Sequence, residues 1–197
     1  MINLGILISG GGSNLQAIID ACESGILKGK AKVAVVISNK PGAYGLLRAK
    51  KYGIPSQFVD PQCFPDNKQF CEGVCGELRK YKTDIVCLAG FMRMIDPCLL
   101  HEFKGKVLNI HPALLPKFGG KGMYGHYVHE AVIKAGEKES GATVHMVDEV
   151  YDHGEVILQK KVAVMPGDAP EALADRVLEV EHDIYPKAIK AVIEKMR

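Results

Sequence analysis

Asn109 and His111 stand two residues apart, and Pro112 follows them directly. In an extended chain, positions i and i+2 share a face. An amide and an imidazole would therefore project side by side where a strand stops. An amide N–H can hold a developing oxyanion, and an imidazole moves protons near neutral pH. A second group is the turn Ser9-Gly10-Gly11-Gly12-Ser13-Asn14. Glycines let the backbone approach a ligand closely, and the free N–H groups of a helix start favour an anion. The third is the acidic run from Asp148 to Gly154, in which Asp152 lies two residues before the glycine. A carboxylate beside an imidazole favours its protonated form. Together these groups suggest group transfer onto a small molecule that bears a phosphate.

Each group also has a plainer reading. The glycines would serve a ligand-free turn between strand and helix, His111 a hydrogen-bonded structural role, and Asp152 a turn between two strands. On the residues alone, both readings stand. The kind of anion is narrower. No G-x-x-x-x-G-K-[ST] string occurs, which excludes a Walker loop. Leu15 stands where a dinucleotide fingerprint wants its third glycine, and Ser38-Asn39-Lys40 where it wants an acidic residue. A single phosphate fits better than NAD. His126 and His129 are three apart beside Glu130. They have no evident third ligand, so no metal is expected.

The elements that must position these groups alternate in the first half. Ile2 to Ile8 and Lys32 to Ile37 are apolar runs that predict buried strands. Gln57 to Val59 and Asp84 to Ala89 predict two more. Helical spacing over Leu15 to Cys22, Tyr44 to Lys51 and Lys68 to Tyr81 predicts the helices between them. Strands without alternation, each followed by a helix, indicate a parallel sheet covered on both faces. Val107 to Ile110 is the next expected strand, Pro112 to Gly125 an irregular stretch and Tyr127 to Lys134 a helix. Thr143 to Val147 and Glu155 to Val164 predict two strands joined by the Asp152 turn. The last helix starts at about Pro170, with Asp168 and Glu171 resembling a capping box. Pro186 is expected to kink or interrupt it. The fold class is a single doubly wound α/β domain over 1–197. In such sheets ligands gather at the carboxyl ends of the strands, which is where Asn109 and His111 fall.

Composition sets the outer bounds. With 197 residues the chain can bury a core without staples. A net charge of +2 gives no sign of a nucleic-acid or membrane surface. Met1 to Ile8 is too short and lacks the basic flank of a targeting segment, so a cytoplasmic location is expected. The six cysteines contain no C-x-x-C pair and are read as reduced thiols used as small apolar residues.

Five stretches resemble the folate-dependent formyltransferases over essentially the whole chain, and within them the glycinamide ribonucleotide branch. They are Leu7-Ile-Ser-Gly-Gly-Gly-Ser-Asn-Leu-Gln-Ala17, Leu88-Ala-Gly-Phe-Met-Arg-Met94, Asn109-Ile-His-Pro-Ala-Leu-Leu-Pro116, Gly141-Ala-Thr-Val-His145 and Glu181-His182. The resemblance implies formyl transfer from 10-formyltetrahydrofolate, as co-substrate, to the amino group of glycinamide ribonucleotide in purine synthesis. It implies Asn109, His111 and Asp152 as the catalytic trio. Gly12, Ser13, Asn14 and Glu181 would hold the ribonucleotide. Met92, Arg93, Met94 and Ile95, with Asn109, Asp148 and Asp152, would form the folate pocket. Residues 1–100 would then bind the ribonucleotide phosphate, and 101–197 would carry catalysis and folate. The partners implied are small molecules, with neither nucleic acid nor membrane, for a monomer or homodimer. Three departures stand out. Asn67-Lys68 stands where many relatives carry an arginine for the folate tail, Lys117 to Val128 is long and glycine-rich, and His153 replaces a small residue. Other readings are a formyl-folate deformylase, a tRNA or sugar-nucleotide formyltransferase, or a nucleotide-binding regulator. A tRNA enzyme is expected to carry an extra basic domain.

Overall fold

Strands and helices alternate through the computed structural model, which describes residues 1–196; Arg197, the end of the expected domain, lies outside them. The order is β1 (Ile2–Ile8), α1 (Ser13–Glu23), β2 (Ala31–Ser38), α2 (Tyr44–Lys51), β3 (Ser56–Phe58), α3 (Asn67–Lys80), β4 (Ile85–Leu88) and α4 (Pro97–Glu102). It continues with β5 (Val107–His111), α5 (His126–Lys134), β6 (Glu139–Met146), β7 (Val156–Ala163) and α6 (Pro170–Lys195). One seven-stranded sheet results, in the order β3-β2-β1-β4-β5-β6-β7. Strands β1 to β5 are parallel, whereas β6 and β7 are antiparallel. This is the doubly wound, mostly parallel sheet that the sequence predicts. Between β1 and β4 the winding reverses, which opens a crevice at their carboxyl ends.

Alternate residues of the strands feed two cores. Leu4, Ile6 and Ile8 of β1 pack with Leu15 and Ile18 of α1 and with Val177, Ile184 and Ile189 of α6. On the other face, Leu7, Val86 and Leu88 pack with Phe70, Val74 and Leu78 of α3 and Leu99 of α4. Each large side chain so buried contributes about 1.5–3 kcal/mol, so both faces are strongly specified. Cys71, Cys75 and Cys87 lie within these cores. Burial pushes their thiols up, as befits apolar fillers.

Several expectations need correction. Of the kink or interruption expected at Pro186, the interruption does not occur: helix α6 runs through it. Interior proline costs about 3 kcal/mol. Here Ile184, Tyr185, Ala188 and Ile189 around it are all fully or almost fully buried, and the Tyr185 hydroxyl donates within reach of the Leu88 and Leu108 carbonyls, at 2.9 and 3.1 Å. Packing outweighs the lost hydrogen bond. Asp168 forms no capping box: its carboxylate accepts from Arg176 at 2.7 Å and from the Met165 N–H at 2.8 Å. Ala169 is the cap residue, without a side-chain bond. Strand β6 begins at Glu139, four residues before the expected start, and the six-residue α4 is an additional element.

Candidate active site

A cleft of about 530 Å³ opens at the crevice between β1 and β4 and extends over the end of β5. Asn14, Arg93, Asn109, His111, Asp152 and Glu181 all line it, as do Met92, Met94, Ile95 and Asp148. Ten of the twelve residues expected at the site thus meet in one cavity. The other two, Gly12 and Ser13, lie in the adjoining turn, half-buried.

The turn follows from its glycines. Gly12 takes the left-handed conformation, φ 70° and ψ 37°, at the cap of α1, and no side chain caps that helix. Its leading N–H groups have no partner within the helix and are left for a ligand. A Cβ on Gly10 or Gly11 would meet no atom within 4 Å, so the turn faces open space. At its inner end Asn14 is 7% exposed. Its Nδ2 donates to Glu181 Oε2 at 2.6 Å, whereas its Oδ1 is buried with no partner. Burial, only partly offset by the Asn14 bond, pushes the Glu181 carboxyl up to about 7.

Asn109 and His111 share the face of β5 opposite Leu108 and Ile110, as strand parity requires. Antiparallel register then sets His145 of β6 directly across from Asn109. His145 Nδ1 lies 2.8 Å from the Met146 carbonyl and Nε2 lies 3.1 Å from Asn109 Nδ2. A carbonyl only accepts, so Nδ1 carries the proton and Nε2 accepts from the amide. That leaves the second N–H of Asn109 free for the cleft.

Asp152 reaches the same place from the connection between β6 and β7. The Met146 N–H donates to the Glu155 carbonyl at 2.8 Å, closing that loop at its base. Gly154 lies so close to the Met146 carbonyl that a side chain there would collide with it. Asp152 itself takes φ 53°. Its Oδ2 lies 3.5 Å from His111 Nδ1, and its Oδ1 lies 3.6 Å from His145 Nε2. The glycine-rich segment joins the pair from above. His111 Nε2 donates to the Phe118 carbonyl at 2.8 Å, and the Gly120 N–H donates to Asp152 Oδ2 at 2.9 Å.

Protonation follows from these contacts. Burial lowers the His111 pKa more than Asp152 and the Phe118 carbonyl raise it, so the imidazole falls below its ordinary range. The expectation that Asp152 favours the imidazolium is thus outweighed by desolvation. Burial raises Asp152, but the close approach of His145 and then of His111, with the Gly120 N–H, outweighs it and holds the carboxyl low. The resting pair is an ionised carboxylate beside a neutral imidazole whose bare Nδ1 faces it. Such a histidine accepts a proton, and the carboxylate then stabilises the imidazolium.

The far half of the cleft is bounded by residues 90–95 and 147–152. Leu88, Ile95, Val147 and Val150 give it apolar walls. Asn67 does not line the cleft; its Nδ2 donates to the Met94 carbonyl at 3.1 Å. Its Oδ1 accepts from Arg93 Nε at 2.8 Å, and the Arg93 guanidinium lies 4.8 Å from the Phe70 ring centroid. Asn67 therefore orients a cation rather than supplying one.

His145 and the backbone of Phe118 and Gly120 also contact Asn109, His111 and Asp152, neighbours that residue-by-residue reading misses. His145 would follow from the pairing of β5 with β6, but a separation of 36 positions between the partners leaves that register open. His126 pairs with Glu130 at 2.9 Å on the surface of α5. Among the described residues, no group of three or more His, Cys, Asp or Glu is arranged to hold a metal.

Comparison with known proteins follows the same outline. A model of the formyl transferase family matches residues 2–189. Phosphoribosylglycinamide formyltransferase from Haemophilus influenzae is 44% identical over 190 residues, covering 96% of this chain and 86% of that protein. The trifunctional purine biosynthetic protein adenosine-3 from Chironomus tentans is 43% identical, and the match spans 13% of its length. Among solved structures, glycinamide ribonucleotide transformylase 1 from Symbiobacterium toebii superimposes with a TM-score of 0.94 at 42% identity, covering 99% of this chain and 89% of that one. With the glycine turn, the Asn-x-His strand end and the Asp152 loop disposed as described, the chain belongs to the formyl transferase family and, within it, to the phosphoribosylglycinamide formyltransferases.

Proposed function

We propose that this chain transfers a formyl group from 10-formyltetrahydrofolate to the amino group of glycinamide ribonucleotide. One observation carries the reading. Asn109, His111 and Asp152 converge in a cleft whose near end is an anion turn and whose far end is an apolar slot. When bound, the formyl folate supplies an activated N-formyl group. The free N–H of Asn109 stabilises negative charge that develops on a formyl oxygen. Neutral His111 takes the proton of the attacking amine at Nδ1, Asp152 holds the resulting imidazolium, and the proton is returned to the leaving nitrogen. Nε2 of His111 is committed to the Phe118 carbonyl at 2.8 Å, so the unprotonated Nδ1, 3.5 Å from Asp152 Oδ2, is the atom left to take a proton.

Gly12, Ser13 and Asn14 hold the ribonucleotide phosphate, and Glu181 receives its sugar. Met92 to Ile95, Asn109, Asp148 and Asp152 bind the folate, and Arg93 is the cation for its carboxylate tail. Residues 1–100 carry the phosphate turn and 101–197 the catalytic trio. The protein acts as a monomer or homodimer in the cytoplasm, on small molecules alone. No helix among the described residues is long and apolar enough to cross a membrane.

A spectrophotometric formyl-transfer assay tests this, run with glycinamide ribonucleotide present and omitted. Turnover is expected only with the acceptor, and Asn109→Ala is expected to lower kcat by ~10²–10³, the usual effect of losing one oxyanion donor. Turnover without the acceptor would make the protein a deformylase. Unimpaired Asn109→Ala would remove the trio from the mechanism.

A further inference from the structure

One cation touches the glycine turn from behind. Arg48, on α2, donates from Nε to the Gly11 carbonyl at 2.9 Å and from Nη1 to Gln16 Oε1 at 3.2 Å. Its guanidinium lies 5.0 Å from the Tyr44 ring centroid. These contacts fix the group against the turn. None of the ion pairs among the described residues includes it. Its charge is felt by its neighbours: burial and then Arg48 depress the pKa of His182.

The approach of α2 depends on two glycines. The Gly45 N–H donates to the Gly10 carbonyl at 3.1 Å. A Cβ on Gly12 would stand 2.8 Å from Gly45 Cα, so only glycine lets the backbones meet. The carbonyl and N–H of one trans peptide point in opposite directions. A guanidinium on the Gly11 carbonyl therefore polarises the Gly11–Gly12 peptide, and its N–H, on the side away from Arg48, becomes the stronger donor. At the inner end of the same turn, Asn14 Oδ1 is buried with no partner, an acceptor that awaits a donor such as a hydroxyl of the phosphate-bearing molecule rather than the phosphate itself.

We propose that Arg48 is a positioning residue for the phosphate-bearing acceptor. Its charge, relayed through the Gly11–Gly12 peptide, biases the turn toward a dianionic phosphate over an uncharged sugar. The inference rests on the turn being the phosphate site, as given under the proposed function.

Isothermal titration of the full chain with ribose 5-phosphate, ribose and 5-formyltetrahydrofolate tests it, for wild type, Arg48→Gln and Arg48→Lys, with unfolding midpoints as a check on the fold. Arg48→Gln is expected to weaken ribose 5-phosphate about tenfold, the scale of one charge-assisted contact. Arg48→Lys should recover most of that loss, since it restores the charge. Binding of 5-formyltetrahydrofolate should stay unchanged. In turnover, KM for glycinamide ribonucleotide should rise while kcat holds. Wild-type affinity for ribose 5-phosphate in Arg48→Gln would overturn the proposal, as would equal loss of folate affinity or a wild type that binds the phosphate no better than ribose. A chain whose ribose 5-phosphate binding depends on Arg48 but which transfers no formyl group would sink the enzymatic reading and leave this one standing.

Discussion

At Asp152 burial raises the carboxyl pKa while His145, His111 and the Gly120 N–H lower it, and the second set wins. At His111 burial wins. The base form is therefore present below the ordinary histidine range, and kcat/KM should rise with pH through a limb on the acid side of about 6.5. Asp152 is a group that raises His111, so Asp152→Asn should slow turnover and move that limb to still lower pH. An unmoved limb in a pH–rate profile of the variant would separate the two residues. Glu181 gives a different signature. Its folded pKa is raised to about 7 from the ordinary 4.5 of a glutamate carboxyl. Between those values the folded chain keeps a proton that the unfolded chain has released, so stability falls as pH rises through the window. Urea unfolding at pH 5 and pH 8 should show wild type losing up to about 3 kcal/mol more than Glu181→Gln. Asn109 and His111 were legible because parity puts i and i+2 on one face. Asp152 was legible from its turn and its resemblance. The balance of burial against hydrogen bonds and charges around it was not, since it depends on groups far off in sequence, such as the Gly120 N–H 32 residues away.

Among the elements, long periodic ones read well and short or tertiary-dependent ones did not. Helix α2 runs from Tyr44 to Lys51 as expected. Helix α4 has six residues, too few for a helical period to declare itself, although Asp96 caps it by accepting from the Cys98 N–H at 3.0 Å. The early part of β6 contains Ser140 and Gly141, poor strand formers by themselves. They pair because β7 runs beside them. Asp168 has the spacing of a capping residue but meets Arg176 eight residues on, a contact that spacing within the first turn does not disclose. The loop between β6 and β7 is the element on which Asp152 depends. Gly154→Ala would drive a methyl into the Met146 carbonyl and displace the loop. Activity is expected to fall at least about tenfold, as small displacements of positioned groups do, with folate affinity reduced alongside. Steady-state kinetics that match wild type would show that the loop absorbs the clash.

Across the whole molecule the cleft draws on both ends of the chain. Asn14 near the start holds Glu181 near the finish, and α1 packs against α6 in a shared core. The two halves should therefore melt together. Calorimetry is expected to show one transition, raised by either substrate, with about 2.7 kcal/mol of stabilisation at a hundredfold excess over Kd. Two resolved transitions would contradict a single cooperative unit. Segment 117–125 should lose protease sensitivity when both substrates are present, because it roofs the cleft at Gly120 to Gly125. Unaltered cleavage there would show that it does not close.

The stitching of that roof has a practical corollary. Both of its ties to the His111–Asp152 pair, the Phe118 carbonyl and the Gly120 N–H, precede the remaining glycines at 122 and 125. Residues 121–125 carry neither tie, so substitutions there, apart from Met123, which packs against the core, leave both contacts to the pair in place. A designer seeking a new specificity on this scaffold would start substituting after residue 120.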